Sequence, residues 1–140
     1  MHAAALSSLS PAIQLHLACA SAALVLGPLA LTARKGSPRH RALGYAWVLA
    51  MLAAATSSLF IRDFNLPNIG GYTPIHLLTL ATFAGVSAGL YLVIVKRNIS
   101  AHRKTMWKTY LGGCVVAGLF TLLPGRYLGD LLWHHALGLV

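Results

Sequence analysis

Four histidines stand at matching places in the two halves of this chain: His16, His40, His76 and His102. His16 begins the run HLACASAALVLGPLAL and His76 begins HLLTLATFAGVSAGLYL, while His40-Arg41 and His102-Arg103 each open the run that follows. The two histidines of each half lie roughly 25 residues apart, which reads as an internal repeat of layout. Ionisable groups bordering or inside apolar runs of this kind are functional candidates by default. A zinc or copper site would want three or four protein ligands, completed by carboxylate or thiolate. Asp and Glu together number only 2, and Cys19 and Cys114 share no ligand spacing with any histidine. Haem brings four nitrogens of its own and asks the protein for one or two axial ligands, for which imidazole is a common choice. A helix start also disfavours imidazolium, keeping the ring neutral and able to ligate. His2, His134 and His135 read instead as terminal or interfacial residues.

Composition says what positions these rings. Of 140 residues, 57% are hydrophobic and only 9% are charged, against roughly 25% charged in an ordinary soluble domain. That excludes a common cytosolic enzyme and a disordered chain. The net charge of +9 does not indicate nucleic acid, because the basic residues cluster between long uncharged stretches, as in membrane proteins. Four segments approach the roughly 20 apolar residues that a helix needs to cross a bilayer: Ala12–Thr32, Ala42–Ile61, Pro74–Val95 and Met106–Leu123. Ser10-Pro11, Ser37-Pro38 and Thr73-Pro74 place a hydroxyl cap before a proline at the first helical position, and Ser100 offers a fourth cap. Pro28 is expected to bend the first span and Pro124-Gly125 to close the last. The tail from Gly125 to Val140 is too short to span and reads as a helix lying on the surface. The fold expected is all-α: a single transmembrane domain over residues 1–140, built as an integral membrane four-helix antiparallel bundle with a short C-terminal interfacial helix.

Charge sets the orientation. Arg34, Lys35, Arg39 and Arg41 fall between the first two spans, and Lys96, Arg97, Arg103, Lys104 and Lys108 fall between or just inside the last two. Only Arg62 and Arg126 remain for the opposite side, which also carries Asp63 and Asp130. The positive-inside rule then puts both termini outside the cytoplasm. The first span lacks a basic leader and a clear cleavage pattern, so it reads as retained. In an antiparallel bundle, spans one and three face each other across the core, as do two and four. His16 and His76 would meet near the outer face, and His40 and His102 near the inner one. Gly27, Gly44, Gly85, Gly89, Gly112, Gly113 and Gly118 suit either a flat macrocycle or close helix packing. Met51, Met106, Cys19 and Cys114 are most simply packing residues.

The stretches RHRALGYAWVLAM, PIHLLTLAT and AHRKTMWKTYLGG resemble an uncharacterised family of small bacterial four-helix membrane proteins, a likeness covering nearly the whole chain. The histidine layout is also similar to the four-helix core of the cytochrome b561 superfamily. That resemblance implies two haems b, each held by two histidines: His16 with His76 on the outer side, His40 with His102 on the inner. It implies electron transfer across a bacterial inner membrane, or to and from quinone, and hence an oxidoreductase. The expected partners are the lipid bilayer and a quinone or redox partner protein, with a homodimer left open. A rival expectation is a membrane protein that handles copper, iron or protons and assists assembly of a respiratory complex. A purely structural membrane subunit is the third.

Overall fold

A computed structural model describes residues 9–62, 64, 67–123 and 129. The expected C-terminal surface helix, His2, His134, His135 and both acids lie outside the described residues. Within them the chain is helical and forms no strand; one isolated bridge, Ile69 to Tyr72, closes a turn at Gly70-Gly71. Helix α1 is Pro11–Thr32, α2 is Pro38–Ser58, and α3 is Leu77–Ile94, entered through a short 3₁₀ turn at Pro74–His76. The fourth rod is composite: α4, Ile99–Tyr110, runs through a π-helical segment, Leu111–Val116, into α5, Ala117–Thr121.

Helix starts follow local chemistry. Proline opens α1 and α2 because its missing N–H is one the first turn would leave unpaired anyway. The Ser37 hydroxyl accepts the His40 N–H at 3.1 Å, satisfying one such donor. Helix α4 departs from expectation: its cap is Asn98, whose side-chain oxygen accepts the Ala101 N–H at 2.9 Å, and not Ser100. The rod therefore begins seven residues before the apolar run at Met106. Hydropathy marks only the charge-free part of a helix, whereas the cap marks its end. Helix α2 likewise starts at Pro38, ahead of Ala42, and stops at Ser58, before Ile61. Among the described residues, two continuous helices, Pro11–Thr32 and Pro74–Ile94, are long and apolar enough to cross a membrane. Basic residues at the start of α2 and the π interruption of the fourth rod take the other two out of that class.

The turns between helix pairs use left-handed backbone. Gly36 supplies it after α1 (φ +79), but after α3 it falls to Arg97 (φ +52). An L side chain there costs about 1–2 kcal/mol, partly offset by glycine's greater chain entropy. Arg97→Gly is accordingly expected to stabilise the protein by about 0.5–1 kcal/mol, read as a higher midpoint in a thermal melt in detergent.

Named contacts fix how the rods lie. His16 near the start of α1 reaches Ala54 near the end of α2, and His40 at the start of α2 reaches Ala30 near the end of α1, so these two helices run antiparallel. Gly85 packs against Thr109 and Gly89 against Met106, which makes α3 and α4 antiparallel as well. The buried core draws on every rod: Ala23 from α1, Trp47 and Met51 from α2, Val86 from α3, Met106 and Tyr110 from α4, and Cys114 from the π-helical segment.

Pro28 shows how α4 seats on α1. A proline within a helix leaves the carbonyl four residues earlier without its donor. That carbonyl is Leu24, and the Tyr110 hydroxyl donates to it at 3.3 Å. Gly27 makes the approach feasible, since a Cβ there would strike the Tyr110 ring. The Trp47 Nε1–H, 3.2 Å from the same point, is buried with no hydrogen-bond partner among the described residues. The glycines at 27, 85, 89 and 113 are thus filled by side chains of neighbouring helices, which is close packing of rods.

Candidate functional site

Each expected histidine is half-buried at a helix end, and three of them make the same bond. His16 Nδ1 lies 2.8 Å from the Ala54 carbonyl, His40 Nδ1 2.9 Å from Ala30, and His102 Nδ1 2.8 Å from Gly89. A carbonyl can only accept, so each Nδ1 carries the proton, and each Nε2 is left with its lone pair. Among the described residues none of these three Nε2 atoms has a partner. Metal-ligating histidines are commonly held this way: a hydrogen bond from one ring nitrogen fixes the tautomer and raises the basicity of the other. The Ser57 hydroxyl stands a further 3.4 Å from His16 Nδ1.

His76 differs. Its Nδ1 accepts the Thr73 N–H at 3.1 Å, and its Nε2 stands 3.0 Å from the Ile61 carbonyl. With Nδ1 accepting, the ring proton sits on Nε2 and donates to Ile61. Both nitrogens are then spent on joining the loop after α2 to the entry of α3. The Tyr72 ring packs edge-on against it, centroids 5.0 Å apart. In this rotamer His76 offers no lone pair to a ligand.

The histidines occupy two levels. His16 and His76 both engage the C-terminal end of α2 or the turn after it, where Ser58 and Thr79 also join hydroxyls at 2.7 Å. His40 and His102 bond carbonyls near the C-terminal ends of α1 and α3. About 14 residues of α2 separate His40 from Ala54, or about 21 Å at 1.5 Å rise per residue. No hydrogen bond or ring contact joins one histidine to another among the described residues. The levels are present, then, but within each level the rings address backbone and not each other.

Basic residues gather at the His40–His102 end. Arg103 and Lys104 line a cleft of about 450 Å³ with Leu31, Thr32, Ser100 and Trp107. The Lys35 ammonium caps α1, donating to Leu31 O at 2.6 Å and to Ala30 O at 3.3 Å. Burial, and then the nearby Arg103 charge, pull its pKa below 10.5. In the core, the Cys114 thiol meets the Met51 sulfur at 3.3 Å. No group of three or more His, Cys, Asp or Glu side chains that could hold a metal ion occurs among the described residues.

A family model described as predicted membrane protein (DUF2306) matches residues 13–124. The chain belongs to this family. The match takes in all four histidines and the π-helical segment. No curated protein and no solved structure matches the chain. A DUF2306 protein is by description a membrane protein, and the exteriors of these rods agree: Val25, Leu49, Leu80 and Leu119 are each more than 60% exposed. Soluble monomers rarely present apolar surface on that scale.

The residues that sequence reasoning missed are the acceptors. Ala30, Ala54, Ile61 and Gly89 act through their main-chain carbonyls, which every residue possesses, so no side-chain pattern marks them. Thr82 was missed for another reason: a threonine within an apolar run is ordinary until its hydroxyl proves to be unpaired.

Proposed function

We propose that this DUF2306 protein is a multi-pass, antiparallel four-helix bundle of the bacterial inner membrane. It binds b-type haem through its helix-end histidines and carries electrons across the bilayer or to and from quinone. Both termini lie on the non-cytoplasmic side, because nearly all the basic residues fall in the two loops assigned inside.

The observation that supports this reading is the shared geometry of His16, His40 and His102, each with Nδ1–H on a carbonyl and Nε2 unpartnered. Three donors in that state fit an iron's axial demand. His76 fits only if its ring leaves Thr73 and Ile61. The inner level, His40 with His102, is therefore the better prepared haem site, and the outer one requires that rearrangement. Bound haem would supply a one-electron redox couple. The chain's own part is to fix the tautomers, hold the two levels about 20 Å apart by helix length, and surround them with apolar side chains.

The visible spectrum of detergent-purified protein, before and after dithionite, tests this. A Soret band with sharp reduced α and β bands is the expected result. Colourless protein after haem-supplemented expression would reject it. The Cys114–Met51 sulfur contact favours a second reading, copper handling, since soft sulfur ligands select Cu(I). Elemental analysis of the same sample would return copper in place of haem iron.

A further inference from the structure

Between α3 and α4 lies a cleft of about 270 Å³ that none of the four histidines lines. Its walls include Thr82 and Gly85 from α3, Thr105 and Lys108 from α4, and Gly112 and Gly113 from the π-helical segment. We infer that this cleft binds the head group of a membrane quinone, a deepening that rests on the proposed electron-transfer role.

Hydroxyl groups carry the argument. Helical Ser and Thr usually return their hydroxyl to a carbonyl three or four residues back. Thr32, Ser57, Thr109 and Thr121 do so here. Thr82 is only 7% exposed, yet its hydroxyl has no hydrogen-bond partner among the described residues. It lies beside Gly113, 3.0 Å from where a Cβ would stand. The Thr105 hydroxyl is also unpaired among them, and Lys108 adds an ammonium that can only donate. These donors open on the cleft, and in a lipid-facing cleft no water pairs them, so a molecule bearing acceptors suits it.

The walls narrow the occupant's class. At Gly112 a Cβ would meet nothing within 4 Å, so side-chain bulk is low on that wall, which suits a flat ring. Leu78 and Ala81 supply apolar wall, and Leu77 and Leu80 beside them are more than 60% exposed, so entry is from the lipid side. Along α3, Thr82 lies about 9 Å of helix past His76. Along α4, Lys108 lies about 9 Å past His102. A planar, lipophilic molecule with carbonyl acceptors meets all of these conditions. A π-helical turn at a binding site also has precedent, as such turns collect where function is.

The test is direct binding of a short-chain ubiquinone to the purified full chain in detergent, by calorimetry and tryptophan quenching. Haem content is read from the visible spectrum of each sample. Thr82→Val keeps the shape and removes the hydroxyl; affinity is expected to fall about tenfold. Gly112→Leu points into space where a Cβ meets nothing within 4 Å, so it blocks the cleft without touching the core; binding is expected to be lost. A wild-type chain that binds no quinone, or variants that bind as wild type does, would overturn the proposal. Quinone binding by haem-free protein would uphold this site while removing the haem reading, which keeps the two failures distinct.

Discussion

Alanine at His40 is expected to abolish haem binding at the inner level as completely as alanine at His102. Both rings are held by main-chain carbonyls on separate helices, so neither can take over the other's position. Loss of an orienting neighbour alone costs about 10–100-fold in metal affinity, and loss of the ligand itself should exceed that. Because alanine also removes the hydrogen bond to Ala30, His40→Gln is the sharper variant. An amide can still donate to that carbonyl but is a poor partner for iron, so the fold should persist while the inner level's share of the reduced α band disappears. Full haem content in both alanine variants, measured against protein concentration, would refute the assignment. His76→Ala should behave differently. Its first effect is on stability, because the Thr73 N–H and the Ile61 carbonyl each lose a partner.

The second large effect concerns the seat of α4 on α1. Gly27→Ala is expected to destabilise the protein by about 1–3 kcal/mol, the usual range for overpacking, because the new methyl meets a rigid aromatic ring. Gly89→Ala forms an instructive pair with it: there the obstacle is the terminal methyl of Met106, a flexible group that can swing aside, and little loss should follow. Tyr110→Phe keeps the ring but strips the Leu24 carbonyl of its donor, at about 1 kcal/mol. Thermal unfolding of the three variants in one detergent would order them. If Gly89→Ala proved the worst of the set, the packing argument would fail.

Helix existence was plain from sequence, because apolar length and Ser-Pro punctuation are local signals. The start of α4 was not, since Asn98 and Ser100 are both competent caps and only backbone geometry selects between them. The composite fourth rod escaped as well: Gly112-Gly113 lowers helix propensity but does not announce a π turn. The four histidines stood out by type and spacing, and their division into two levels follows from helix length. What sequence could not disclose was the partner of each ring. His76 is tied to Ile61 fifteen residues away and Tyr110 to Leu24 eighty-six away, and such bonds depend on how the rods dock. The same gap explains why His76 looked equal to the other three.

The Ala30 carbonyl oxygen serves two donors, the His40 ring and the Lys35 ammonium. Two donors on one acceptor each receive less of its electron density than either would alone. A negatively charged leaflet that draws Lys35 outward would leave the oxygen to the imidazole. The far nitrogen of that ring would then donate more strongly, so a lipid surface beneath α1 would tune His40 without touching it.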